Sequence, residues 1–320
     1  MSMEEGYDSY APEPTRTRSP PTLSMLPSRQ MRPLLPYLCL LLPACAADPP
    51  ADPPAPQAPG TCTVLSTDDP RVLLEPSQRE ALLKADMTRC AQPFGVLVAA
   101  DSRIPTETLA LAARVLAELL DQDMDGVPDD PAVLEAVRNP NVAWLAMPHD
   151  PDDWEEWQLP GLQRKLGYDI IIPTWWMIGN EERDEARVKA VIVEEIVHFL
   201  TQFGYSAVYP AQFGVDDWTS VIARETQRAQ CVFWQHPEND CPGSPAESRG
   251  DCSDPNCDVV EFYQQVLVQS VGMEPGWRGI GFPETREELE GLLSEDIKRI
   301  MAEPSFHQLR KPLRFTYPNP

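Results

Sequence analysis

The chain has 320 residues, enough for two average domains or one large one, and sets 26 Lys and Arg against 50 Asp and Glu for a formal net charge of −24. That charge argues against a nucleic-acid backbone or an anionic membrane surface as the main partner. The 42% apolar content, with eight Trp, excludes a wholly disordered chain, and no apolar run reaches transmembrane length.

Residues 1–60 hold 14 of the 36 prolines and show neither a helical nor a strand period, so this segment is expected to be disordered. Inside it, residues 31–45 read MRPLLPYLCLLLPAC: a basic residue, a short Leu-rich core and a small residue before a Cys. This resembles a secretory signal, too short for an anchor helix. Leu42, Pro43, Ala44 and Cys45 resemble the bacterial lipoprotein signal, in which the Cys is lipidated and becomes the new first residue. Pro43 is unusual in that box, and an ordinary signal cut nearby is the alternative. Signals lie near the start codon, so Met25 or Met31 is the expected start. The expected organisation is a leader over 1–44 that includes the signal peptide, a Pro-rich tether over 45–60, and a folded part over 61–320. The expected destination is the bacterial cell envelope, with membrane anchoring through Cys45.

Cysteine usage agrees with export. With Cys39 removed and Cys45 lipidated, Cys62, Cys90, Cys231, Cys241, Cys252 and Cys257 remain, an even set suited to disulfides outside the cytoplasm. Pairing Cys62 with Cys90, and the loop cysteines among themselves, needs the least chain movement.

The folded part reads as α+β, a single domain. Residues 94–100 form an apolar run that predicts a buried strand. Residues 106–120 have helical spacing behind a capping Thr106, and 130–138 predict a shorter helix. Strands are predicted over 142–147 and 168–176, with Pro173 pointing to an edge or a strand end. Helices are then predicted over 182–203, 216–230, 258–271 and 284–302, with a long loop over 232–257.

Between the first two helices lies Asp121-Gln-Asp123-Met-Asp125-Gly126-Val-Pro-Asp129-Asp130. Carboxylates at positions 1, 3, 5 and 9, with Gly at 6 for the turn, suit a hard cation with oxygen ligands. Position 12, where an EF-hand has a bidentate Glu, is Ala132. The expectation is an EF-like loop in which Asp121, Asp123, Asp125 and Asp129 bind Ca²⁺ and brace two helices; a bare acidic turn is the alternative.

The segment Val191-Ile-Val-Glu194-Glu195-Ile-Val-His198-Phe-Leu200 is apolar on almost every side, which predicts a buried helix. Two carboxylates and a His are expensive there unless something compensates them. Glu194 and His198 stand four apart and share a face. The pattern resembles the HExxH signature of zinc metallopeptidases, with Glu194 in place of the first His. The resemblance implies zinc held by Glu194 and His198, with Glu195 as general base. It extends to Glu261, followed by Phe262 and Tyr263 on a later helix, which is similar to the third ligand of anthrax lethal factor-like catalytic domains. It further implies a zincin-like domain with a small mixed sheet, a buried site helix and several C-terminal helices, acting on a peptide or protein substrate. Changing Glu194 to His is then expected to keep or tighten zinc binding. The competing reading is an ionic cluster in which Glu194 and Glu195 pair with Arg224 or Arg228.

Glu225 is the second candidate for the third ligand, and Tyr205 and Tyr263 are candidate oxyanion partners, though more often such tyrosines pack. His149, His236 and His307 read as solvated, and Trp175 and Trp176 as core. The acids of residues 150–156 read as a solvated face. The sequence thus predicts a metal-binding exported protein capable of metal-assisted peptide hydrolysis. From another class, the alternative is a non-catalytic, calcium-braced cell-surface binding protein on a degenerate metallopeptidase scaffold.

Overall fold

The computed structural model describes residues 61–173, 185–216, 218–234, 255–279 and 281–318. The leader, Cys45 and the tether lie outside the described residues, as do Trp175, Trp176, His236, Cys241 and Cys252.

Five short strands lie side by side in chain order: β1 (Leu65–Ser66), β2 (Arg89–Ala91), β3 (Val98–Ala100), β4 (Ala143–Met147) and β5 (Tyr168–Ile171). The first three pair antiparallel, and β3, β4 and β5 run parallel. Helix α1 (Pro76–Lys84) links β1 to β2. Parallel neighbours need crossovers, and helices supply both. Helices α2 (Thr106–Leu120) and α3 (Pro131–Val137) join β3 to β4. A second crossover joins β4 to β5 through α4 (Pro151–Asp153), a π-helical turn at Trp154–Gln158, and α5 (Leu159–Leu162).

The rest of the chain is helical. Helix α6 (Glu185–Phe199) runs through a π-helical turn (Leu200–Tyr205) into α7 (Ser206–Val208). There follow α8 (Pro210–Phe213), α9 (Val221–Val232), α10 (Pro255–Ser270), α11 (Arg286–Leu292) and α12 (Glu295–Ala302). The described residues fall in one compact unit, an α+β domain.

Side-chain alternation along the strands separates two cores. Val98, Ala100, Leu145 and Met147 face the larger one, with Leu109 and Leu116 of α2, Ile192 and Ile196 of α6, and Phe262 and Val266 of α10. Leu97, Ala99, Trp144 and Ala146 face the smaller one, closed by Leu82 of α1, Trp154 and Leu162. Each Val, Leu, Ile, Phe or Met among them contributes about 1.5–3 kcal/mol by leaving water. The larger core holds α6 and α10 against the sheet, and that packing positions the site.

Several expectations change. Residues 94–100 are not all strand: Pro93–Gly95 is a 3₁₀ turn with Phe94 at φ 51°, and β3 covers only the end of the run. Thr106 does not cap α2; its hydroxyl accepts from Arg89 Nη1 at 2.7 Å, and the cap position is Pro105. Residues 284–302 form two helices, because Ser294 accepts from the Ile297 N–H and starts a new one. From Pro151 on the acidic stretch is helical and carries Trp154, fully buried, so it is not merely a solvated face. Cys62 and Cys90 are not bridged. Cys62 packs in the larger core and donates to the Ala113 carbonyl at 3.4 Å, whereas Cys90 lies in the smaller core, on the other face of the sheet. Cys231 and Cys257 are each part of a disulfide. Among the described residues no helix is long and apolar enough to cross a membrane.

Candidate metal centre

Helix α6 buries Val191, Ile192, Val193, Ile196, Val197 and Phe199, and with them Glu194 and His198, at 6% and 7% exposure. Glu261 stands two turns into α10, which packs against α6 through the larger core. Glu194, His198 and Glu261 each offer one ligand atom, and the three atoms lie within 4.8 Å of one another. His198 Nε2 is 3.5 Å from Glu261 Oε2 and makes no hydrogen bond. On the other side of the ring, Nδ1 is 3.4 Å from Glu195 Oε2.

The electrostatics of the two adjacent acids are unfavourable without a cation. Burial is the main cause that pushes the Glu194 carboxyl up to about 7; His198 and the Trp277 N–H pull it down, and Glu195 pushes it further up. Burial alone pushes Glu195 up to about 8. The arginines that could have neutralised them are used elsewhere. Arg228 pairs with Glu225 through Nε at 3.0 Å and Nη2 at 2.5 Å and also donates to the Leu292 carbonyl. Arg224 donates to the Thr219 carbonyl. Glu225 additionally accepts from the Ser294 N–H at 3.0 Å, which ties α9 to the start of α12. It is a structural ion pair rather than a third ligand.

The donor set fits a zinc-like ion. Tetrahedral nitrogen and oxygen ligands about 2.1 Å from zinc stand roughly 3.4 Å apart, close to the observed 3.5 Å between His198 Nε2 and Glu261 Oε2. A buried imidazole nitrogen without a hydrogen bond is the other sign of fit, since such groups are normally satisfied. A dication would also relieve the cost of burying Glu194 as an anion beside the half-buried Glu195.

The tyrosines are placed otherwise. Tyr263 donates to Gln308 Oε1 at 2.6 Å, and the Tyr205 hydroxyl lies 3.4 Å from the His307 carbonyl oxygen, so both hydroxyls serve the C-terminal segment. His307 is an anchor through that carbonyl, which also accepts from Gln122 Nε2 at 2.6 Å.

The acidic loop is a separate cluster. Asp121, Asp123 and Asp129 bring one oxygen each within 4.8 Å of the others, and Asp125 is not part of the group. Asp125 Oδ1 instead accepts from the Val127 N–H at 2.7 Å, in a local turn. Asp121 is fully buried; it accepts from Gly126 N–H at 2.8 Å and from the Tyr317 hydroxyl at 2.5 Å. Gly126 sits at φ 87°, where glycine is favoured. The Asp125 N–H lowers Asp123, but desolvation and the carboxylates of Asp125, Asp121 and Asp129 outweigh it and raise its pKa. Asp130 caps α3, accepting from the N–H groups of Ala132 and Val133, and is held by the Tyr209 hydroxyl at 2.7 Å.

Sequence reasoning missed the segment that closes on Glu194. Gly276 lies directly against its carboxylate, and the Trp277 N–H donates to it. The run Gly276-Trp-Arg-Gly279 was the available signal, because glycines flanking a Trp outside any helix mark a close approach of backbone. Comparison of the chain with protein-family models, with curated proteins and with solved structures gives no match.

Proposed function

We propose that the protein is an exported metal-binding protein, lipid-anchored at Cys45 in a bacterial cell envelope, whose zincin-like site carries out metal-assisted hydrolysis of a peptide or protein. The observation that carries this reading is the convergence of Glu194, His198 and Glu261, drawn from two helices, within 4.8 Å. Zinc bound there would supply Lewis acidity for a scissile carbonyl. Glu194, His198 and Glu261 would hold the ion, and Glu195, next to Glu194 on the same helix and 3.4 Å from His198 Nδ1, takes the proton of the attacking water and returns it to the leaving amine. Calcium at the 121–129 loop would brace α2 against α3.

One observation favours the non-catalytic, calcium-braced binding protein as a second reading. Glu195 faces Nδ1 of His198, the position of a carboxylate that orients a ligating imidazole rather than one that meets substrate. The Glu195→Gln variant separates the two. In the hydrolase reading, purified wild type contains zinc and cleaves peptides, and the variant keeps the zinc and loses about 10²–10⁴-fold in rate. In the scaffold reading, wild type cleaves nothing and the variant binds zinc about 10–100-fold more weakly. Wild-type protein without zinc after loading and desalting refutes both assignments of the site.

A further inference from the structure

After α10 the chain doubles back, and Gly276 reaches Glu194 so closely that a Cβ at 276 would overlap the Glu194 carboxylate oxygen Oε2 and stand 3.2 Å from the Ala190 carbonyl carbon. The next residue, Trp277, donates its backbone N–H to the same carboxylate. Gly276 does not occupy the left-handed region, so proximity and not backbone conformation demands glycine there. The segment is firmly held. The Gly279 N–H donates to Gln265 Oε1 at 3.1 Å, one turn along α10 from Glu261. Gln269, one turn further, donates to the Pro283 carbonyl at 2.7 Å, and Arg278 Nη2 reaches Gln269 Oε1 at 3.3 Å. The helix that carries Glu261 therefore also fixes the turn that meets Glu194.

We infer that the turn at 275–277 is the positioning element of the metal centre and makes position 194 specific for a carboxylate. The inference rests on reading Glu194, His198 and Glu261 as ligands. An N–H aimed at a side chain needs an acceptor opposite it. A carboxylate meets that need and still has an oxygen for a metal. A histidine that coordinates through one ring nitrogen carries its proton on the other, so it would oppose the Trp277 N–H with a second donor. The substitution that restores the HExxH pattern is thus the wrong group for this site, contrary to the expectation from sequence.

The test measures the zinc Kd by competition with a chromophoric chelator and records the visible spectrum of the Co²⁺-loaded protein. The proteins are wild type, Gly276→Ala, Glu194→His and the control Gly291→Ala, whose added Cβ would meet nothing within 4 Å. Gly276→Ala should weaken zinc binding about 10–100-fold and shift the cobalt bands, as loss of an outer-shell contact does. Glu194→His should weaken it at least about tenfold, and Gly291→Ala should match wild type. A wild-type Kd and spectrum in Gly276→Ala, or zinc binding as tight as wild type in Glu194→His, overturns the inference. If Gly276→Ala fails to fold, Glu194→His decides alone. A wild type that binds neither zinc nor cobalt overturns the metal site itself, whereas a binding wild type matched by its variants overturns only the positioning role.

Discussion

Asp121, Asp123 and Asp129 meet in a loop that satisfies them from within, whereas Glu194, His198 and Glu261 meet only because two distant helices pack together. In the loop, Asp121 accepts from Asp125 and Gly126, Asp123 accepts from Asp125, and Asp129 accepts from Gln122, all through backbone N–H groups. The C-terminal segment adds the Tyr317 hydroxyl. On α6, Glu194 receives the Trp277 N–H, and its charged neighbours are His198 and a second carboxylate. A motif written contiguously can therefore need its cation less than one assembled by tertiary packing. Acids already solvated by amides gain modestly from a metal, while acids held inside an apolar core gain much.

The largest expected effect follows from removing the imidazole. His198→Ala should lower zinc affinity by more than about 100-fold, beyond the cost of losing an outer-shell contact. Elemental analysis after gel filtration should find zinc in wild type and none in the variant. Zinc retained by His198→Ala would place the metal elsewhere and erase the contrast between the two clusters.

A smaller effect should appear in the pH dependence of the metal-free protein. Glu194 and Glu195 are raised in the folded state, to about 7 and about 8, from the ordinary glutamate value of 4.5. The native state therefore holds more protons than the unfolded state between these values, and stability falls as pH rises. Their contribution is fully present below about 4.5 and is lost as pH passes through about 7 and about 8. Melting temperatures in chelator should decline from pH 5 to pH 8 more steeply for wild type than for Glu194→Gln, and zinc should flatten the wild-type decline. Parallel curves for the two proteins would mean that Glu194 titrates as if exposed.

How much of this was legible depends on whether the signal is local. Helix α2 was readable to its ends because its apolar spacing runs unbroken from residue 106 to 120; α6 was readable as a buried helix because it is apolar all round, but its passage into a π-helical turn at Leu200 was not. Strands β1 and β2, of two and three residues, are too short to show an alternating pattern. The break between α11 and α12 hinges on one capping Ser in an otherwise continuous helical pattern. At the site, Glu194 and His198 were visible as a pair four apart, and the resemblance to metallopeptidases pointed to Glu261. For Gly276 and Trp277 the two glycines signalled only a tight backbone segment; that it presses on Glu194 leaves no period in the sequence. The proposed bridge from Cys62 to Cys90 failed for a related reason: closeness along the chain says nothing about which face of a sheet each thiol takes.

The smallest effect belongs to the loop. Three gathered carboxylates, without Asp125 and with Ala132 where a bidentate Glu would stand, match calcium sites of the weak class, with Kd about 10⁻⁴–10⁻³ M. If the loop binds calcium, calcium at several times that Kd would stabilise the native state by about 1–2 kcal/mol. Saturating calcium should therefore raise the melting temperature by a few degrees, and Asp123→Ala should remove most of that rise. Asp123 is the informative position because it is the exposed member of the group, so its loss removes a ligand without opening a core. Asp121 would confound the test, since its carboxylate also holds Tyr317. A melting temperature indifferent to calcium and chelator would leave an acidic turn that its own amides suffice to stabilise. A rise as large as the one zinc gives would break the contrast from the other side, by showing that amide donors do not spare a loop from needing its cation.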